Sequence, residues 1–325
     1  MRRRNNRLSS HLPPAEAQTK KLTFEEAVKS FLLHSRAKNL SPLSLESYQY
    51  ALRSLQKAFQ KQGLPLDLPS ITARQIKEHF IGYLLENGAA SHTVNGRIRT
   101  CKVFFRYLYE EGVIPHNIAD QFDQIIAEKK MIQTLTKEQV VRLLNQPNRE
   151  TFTGLRDYTI MLLLLETGMR ISECINLEID DLNLKEQEIR IKMGKGWKAR
   201  RVPIQKTCVK TLKKYLVERG DADTNALFIN VDNGPLNKRT VQENIQTYGR
   251  MAQITGVRVS PHTFRHTMAK FYIMNGGDIF TLQQILGHST LDMVRYYVEL
   301  FGTDIKEQHK KYSPVENMVK YRNVM

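Results

Sequence analysis

Acidic residues are scarce in this chain: 33 Asp and Glu face 49 Lys and Arg, a formal net charge of +16. That imbalance points to a polyanionic partner, nucleic acid ahead of an anionic membrane surface. Cysteine is rarer still, three in 325 residues, at Cys101, Cys174 and Cys208. An odd, widely spaced set fits neither a disulfide framework nor a zinc site, so buried thiols in a reducing compartment are expected. Long apolar runs are missing. The longest, Ile160 to Leu165, falls far short of the roughly 20 residues that cross a bilayer. Arg2, Arg3 and Arg4 are not followed by the apolar stretch of a secretory leader. No phosphate-cradling GxxxxGK[ST] loop occurs, and the one adjacent acidic pair of the C-terminal half, Asp180-Asp181, stands apart from any histidine motif. No metal, no cofactor and no membrane contact are therefore expected, and the location expected is cytoplasmic, on the nucleoid.

What is present is an ordinary globular composition, 41% hydrophobic and 25% charged, at a length that suggests about two domains. Residues 1–21 carry six basic side chains against Glu16 alone and read as a flexible basic arm. Four amphipathic helices follow over 22–112. The first opens at the capping-box pair Thr23 and Glu26, the second at Ser41-Pro42, the third at Thr72 and Gln75, and the fourth runs from Ser91 to about Glu111. Arg97, Arg99, Lys102 and Arg106 are interleaved along the fourth and are candidate phosphate contacts. Residues 113–134 are expected as a linker, 135–312 as a second domain and 313–325 as a tail. In the second domain helices are expected near 137–145, 154–166 and 170–177. A hairpin of Glu188–Lys192 and Arg200–Ile204 follows, with Ala226–Ile229 as a possible third strand. The fold class is mainly α with a small antiparallel β-sheet: an N-terminal helical bundle joined to an α+β domain.

Four segments of the second domain concentrate groups that handle phosphate: Thr167-Gly168-Met169-Arg170-Ile171-Ser172-Glu173, Gly194-Lys195-Gly196, His262-Thr263-Phe264-Arg265-His266, and Leu286-Gly287-His288-Ser289 followed by Tyr296-Tyr297. In this order, downstream of a helical domain, the set resembles the tyrosine recombinases, the family of phage integrases and Xer recombinases. The resemblance covers residues 22 to 312 and implies a catalytic domain of the tyrosine-recombinase type over 135–312.

The resemblance also implies roles. Arg170 and Arg265 would hold the non-bridging oxygens of the scissile phosphate, a task suited to planar paired donors. Glu173, one turn from Arg170, would orient it, although a purely structural pair with Glu166 or Glu173 is the alternative. Lys195, at a glycine-flanked tip within the basic stretch Arg190–Arg201, would protonate the departing 5′-oxygen. Lys198 is its rival, and Lys198 and Arg200 are further DNA-binding candidates. His262 would assist proton transfer and His288 donate to a non-bridging oxygen. Tyr297, nine residues after His288, has the register of the nucleophile, whereas Tyr296 points about 100° away on a helix. His266 reads equally well as a core or capping residue and is left outside the site.

The expected activity is site-specific recombination through a 3′-phosphotyrosyl intermediate and a Holliday junction. The expected partners are double-stranded DNA recombination sites, engaged by a homotetramer on two duplexes, with residues 303–325 docking between protomers. The two domains would clamp a duplex. The basic arm, and divergence around Met169 and Trp197, favour the integrase of a mobile genetic element. Alternatives are an Xer-type resolvase of chromosome or plasmid dimers, a DNA-binding regulator that keeps the fold without turnover, and a metal-dependent nuclease.

Overall fold

The structure, a computed structural model, describes residues 22–127, 132–192, 199–287 and 292–301, together with His309, residues 313–315 and Met318. The basic arm, Lys195, Lys198, His288 and most of the 303–325 docking segment lie outside the described residues. The chain divides into two compact units, Met1–Lys130 and Met131–Met325.

In the first unit α1 (Phe24–Ala37) begins where Thr23 and Glu26 close a reciprocal capping box. Helix α2 (Pro42–Lys61) starts from Ser41 with proline in its first turn. A second capping box, Thr72 with Gln75, opens a continuous helical run. It comprises α3 (Ala73–Gln75), a π-helical stretch (Ile76–Gly82) and α4 (Tyr83–Glu86). Helix α5 (Ser91–Glu110) completes the bundle. The apolar spacings of the four helices meet in one core, with Phe31, Leu55, Phe59, Phe80, Ile98 and Phe105 each 1% exposed or less.

The segment expected as a linker is folded over its first part. Val113, Ile114, Ala119 and Phe122 are buried in the same core, around a 3-10 turn at Ala119–Gln121. The Asn95 side chain then clamps Ile125, donating to its carbonyl at 2.9 Å and accepting from its N–H at 2.8 Å. Pro115 and the charges of this stretch suggest a tether, but its apolar residues bury surface on α5 and the chain follows them.

The second unit opens with α6 (Lys137–Leu144), started by a capping box of Thr136 and Gln139. Helix α7 (Phe152–Thr167) is the hub, packed by α9 (Lys206–Arg219) and α11 (Pro261–Met274). Burial on several sides explains its unbroken apolar run, since no face needs to be polar. Helix α8 (Ile171–Ile175) is a single short turn. The sheet has order β1-β2-β3, all antiparallel, from β1 (Leu182–Asn183), β2 (Glu188–Ile191) and β3 (Arg200–Pro203). Ile189 pairs with Val202 and Ile191 with Arg200, which turns Ile189, Ile191 and Val202 inward.

The third strand is therefore Leu182–Asn183 and not Ala226–Ile229. Ala226 and Ile229 form only isolated bridges, to Glu178 and Pro235, while Leu227 and Phe228 are wedged into the core. A short apolar run has the same pattern in either setting.

Helix α10 (Lys238–Met251) is braced to α7 through buried Asp157. Its carboxylate pairs with Arg156 at 2.8 Å and accepts from Asn244 at 2.8 Å and the Tyr248 hydroxyl at 3.0 Å. Helices α12 (Ile279–Leu286) and α13 (Asp292–Phe301) close the unit over α11, around Met268, Ala269, Ile273, Leu282, Leu286 and Tyr297. All three cysteines are free and buried. Burial pushes the Cys101 and Cys208 thiols up to about 12, and Cys174 also upward. Among the described residues no helix is long and apolar enough to cross a membrane.

Candidate active site

Two helix ends hold Arg265. Helix α7 stops at Gly168, which takes the left-handed conformation at φ +59°, and α12 stops at Gly287, at φ +65°. Carbonyls at a helix C-terminus lack intrahelical partners and carry the negative end of the dipole. The guanidinium of Arg265, 3% exposed, takes one from each, donating from Nη1 to Gly168 at 2.8 Å and from Nη2 to Leu286 at 2.9 Å. Burial and the neighbouring Arg170 charge push its pKa down to about 10, offset in part by Tyr297 and Glu173. It is still a cation at neutral pH, in a place where an added anion is favourable.

Arg170 stands at the start of α8, and its carboxylate is Glu173, as the spacing of three suggested. The Arg170 N–H donates to Glu173 Oε2 at 2.8 Å and its Nη1 to Oε1 at 3.0 Å. About half of the Arg170 side chain is exposed, whereas only 10% of that of Glu173 is. Glu173 has a second partner that was expected elsewhere. Arg200 donates from Nη1 and Nη2 to its two oxygens and from Nε to the Ile285 carbonyl at 2.9 Å. Burial alone would raise the Glu173 pKa, but the Arg200 and Arg170 hydrogen bonds and the Arg200 charge outweigh it and hold the carboxyl below its ordinary range.

Arg200, expected as a DNA contact, is turned toward Glu173 and the end of α12. Its side chain is 11% exposed and lies against Gly287, where a Cβ would come within 2.9 Å of the guanidinium carbon. An alternating basic strand does not reveal which of its cations faces inward; the pairing with Glu173 does.

His262 comes from the first turn of α11. Ser260 caps that helix, accepting from the Thr263 N–H at 3.3 Å, and Pro261 follows. His262 opens on a cleft of about 380 Å³ shared with Arg170, Ser172, Lys238, Gln242, Arg258 and Arg265. No carboxylate is among the described residues lining this cleft, so it is suited to an anion. Burial, Arg265 and Arg170, in that order, lower the His262 pKa and favour its neutral form. Lys238 and Arg258 were not expected here. They sit in unremarkable sequence, and only the packing of α10 and of the turn before α11 brings them in.

Tyr297 is 1% exposed within the α11–α13 cluster, and Tyr296 is only partly buried. The two tyrosines therefore separate as the helical register suggested. Burial pushes the Tyr297 phenol up to about 12, against the opposing charge of Arg265. Its hydroxyl lies 2.5 Å from Nδ1 of His266. The His266 ring in turn makes an edge-to-face contact with His262, centroids 4.3 Å apart. The sequence pattern alone does not place His266 in the site. Its place one turn after His262 was the only available signal, and that spacing suits a core histidine equally well.

The four basic residues of α5 do not share a face. Arg99, Lys102 and Arg106, at steps of three and four, lie along the 119–125 segment and meet Gln124 at 3.3 Å, Asp123 at 2.7 Å and Asp120 at 2.9 Å. Arg97 is about half a turn away from Arg99 and lies over the Tyr50 ring of α2, 5.7 Å from its centroid. Among the described residues no group of three or more His, Cys, Asp or Glu is placed to hold a metal ion.

Comparison with known proteins adds to this geometry. Residues 133–302 match the model described as "Phage integrase family", and residues 28–112 match "Phage integrase, N-terminal SAM-like domain". The chain is 30% identical over 283 residues to tyrosine recombinase XerD of Staphylococcus haemolyticus, covering 85% of this chain and 94% of that one. It is 32% identical over 244 residues to tyrosine recombinase XerC of Thermodesulfovibrio yellowstonii, covering 73% and 80%. In fold it is similar to the Tn1549 transposon integrase in complex with transposon right end DNA, at TM-score 0.72, 18% identity and 90% and 100% coverage. A lambda integrase tetramer bound to a Holliday junction gives TM-score 0.67, 18% identity and 83% and 78% coverage.

Proposed function

Because the chain belongs to the phage integrase family of tyrosine recombinases, enzymes that transfer DNA strands, we propose that Tyr297 is its nucleophile and that the Arg170–His262–Arg265 cleft takes the scissile phosphate. Tyr297 Oη attacks phosphorus as the P–O5′ bond breaks, leaving a 3′-phosphotyrosyl ester and a 5′-hydroxyl. The ester conserves the bond energy, and the 5′-hydroxyl of a partner strand reverses the step. Arg170 and Arg265 offset the charge that builds on the non-bridging oxygens. Glu173 and Arg200 hold Arg170 in place. Lys195 as proton donor to O5′ and His288 as a further oxygen ligand are proposed from the family pattern.

The observation that carries this reading is the convergence of Arg170, His262 and Arg265 on one cleft with no carboxylate among its described lining residues, with the Tyr297 hydroxyl one histidine away. The test is covalent trapping in EDTA on nicked duplexes tiled across the DNA that flanks the gene. An SDS-resistant adduct formed by the wild type and by Tyr296→Phe, but lost in Tyr297→Phe, is the expected result. An adduct lost only in Tyr296→Phe moves the nucleophile by one residue. DNA binding with no adduct on any duplex favours a non-catalytic regulator.

For the biological role we propose the integrase of a mobile genetic element, acting as a tetramer on two duplexes. The basic segment before α1 supports it. The identity to XerC and XerD over most of their length favours a second reading, a dimer resolvase. Plasmids carrying two copies of the trapped site in direct repeat, set against a circular donor with one copy, separate the two. Insertion of the donor supports an integrase, and efficient resolution without insertion supports a resolvase.

A further inference from the structure

Among the described residues, His266 is the group placed in hydrogen-bond contact with the oxygen that would react, at 2.5 Å. We infer that His266 is a catalytic residue that takes the Tyr297 proton during cleavage and returns it during rejoining. The inference rests on the recombinase reading above and adds to it a residue and a proton path.

Several features favour an acceptor over a packing role. Tyr297 sits among Met268, Ala269, Ile273, Leu282 and Leu286, and an apolar wall does not stabilise a phenolate. Burial accordingly pushes its pKa up to about 12, so at neutral pH the phenol must lose its proton as it attacks. A base within hydrogen-bond reach of that proton is what geometry demands first, and Nδ1 of His266 meets the requirement. His262, the histidine of the cleft, touches the His266 ring edge to face, while its own position beside Arg170 and Arg265 fits it for the phosphate. The two histidines thereby divide the work: His262 faces the substrate and His266 faces the nucleophile.

The step balances. The Oη–H electron pair becomes the new Oη–P bond, the proton passes to Nδ1 to give an imidazolium, and the P–O5′ pair leaves with oxygen, which takes a proton from its own donor. In the reverse direction the attacking 5′-hydroxyl returns its proton to the same group that protonated O5′ in cleavage, and the imidazolium of His266 protonates the departing Tyr297.

The direction of the hydrogen bond can be read without DNA. In protein labelled with ¹⁵N-histidine, long-range proton–nitrogen spectra should show Nδ1 of His266 unprotonated and accepting, with its resonance moved by Tyr297→Phe. A protonated Nδ1 in neutral His266 overturns the inference, because such a ring donates to tyrosine and cannot take its proton. Cleavage gives the second test, on the nicked duplex that traps the wild type. His266→Phe and His266→Gln should both slow adduct formation by about 100-fold or more with DNA binding retained. The loss should persist on the same duplex with a sulfur in the 5′-bridging position, which needs no proton donor. Wild-type cleavage by His266→Gln reduces the residue to orienting Tyr297, and recovery on the sulfur substrate assigns it to the leaving group; either overturns the inference. Absence of an adduct in the wild type as well overturns the recombinase reading instead.

Discussion

Arg200 donates to both oxygens of Glu173, at 3.0 Å to Oε1 and 2.8 Å to Oε2, and the same carboxylate receives the Arg170 side chain and backbone N–H. One largely shielded carboxylate thus joins β3, α8 and, through the Arg200 bond to Ile285, the end of α12. Removing one member of a buried pair leaves the other charge uncompensated. Glu173→Gln should therefore cost about 3 kcal/mol in urea unfolding and also slow cleavage, since Arg170 loses its anchor. Adding Arg200→Met to it should recover most of the stability and none of the cleavage. Full recovery of both would mean that Glu173 serves the fold alone.

Gly168 ties the fold to the chemistry at a single atom. Its φ of +59° is poorly suited to any side chain, and a Cβ would lie 2.6 Å from Leu286 Cδ2, which is fully buried and has no room to retreat. Gly168→Ala should lower stability by about 2–4 kcal/mol from backbone strain and overpacking. Because the Gly168 carbonyl holds Arg265, adduct formation should fall even where the variant is fully folded. A folded Gly168→Ala protein that cleaves at the wild-type rate would show that Arg265 does not depend on this acceptor.

Local signals in the sequence survived folding and long-range ones did not. The boxes at Thr23–Glu26, Thr72–Gln75 and Thr136–Gln139 start helices where expected, because a cap needs only residues three apart. The inward set Ile189, Ile191 and Val202 was legible from alternation alone. The Arg200–Glu173 pair, the approach of Lys238 and Arg258 to Arg170 and Ser172 across the cleft, and the His266–Tyr297 contact link residues 27 or more apart in the chain. No periodicity encodes such meetings. The 113–125 segment differs from the expected linker for a related reason: Pro115 and its charges suggest a tether, whereas Phe122 and the Asn95 clamp dock it on α5.

His262 makes the cleft sensitive to pH. Its pKa lies below the ordinary 6.5, through burial and the charges of Arg265 and Arg170, so between these two values the unfolded chain binds more protons than the native one. Stability should fall as pH drops through that window, and the full penalty is reached below the folded value. A phosphodiester in the cleft would offset the two arginines and move the His262 pKa upward. Histidine NMR titrations between about pH 5 and 8, with and without duplex, measure both effects. A free-protein pKa above 6.5 would show that burial and the two arginines do not govern His262, and no movement with DNA would exclude it from contact with phosphate.

The arrangement on α5 gives the last prediction. Lys102 and Arg106 are held by Asp123 and Asp120 through exposed pairs, which contribute little to stability and so are cheaply exchanged for a phosphate. If this face meets the backbone, each of Lys102→Ala and Arg106→Ala should flatten the slope of log affinity against log salt by about 0.9. The affinity lost at fixed salt should be larger than one lost contact implies, because the abandoned aspartate then repels the duplex. Asp120→Asn and Asp123→Asn should act in the opposite sense and tighten binding. Arg97→Ala should behave differently from both, since Arg97 is committed to Tyr50 on another face, and should leave the slope in place. Slopes unchanged in Lys102→Ala and Arg106→Ala but flattened in Arg97→Ala would put the DNA on the α2 side of the bundle.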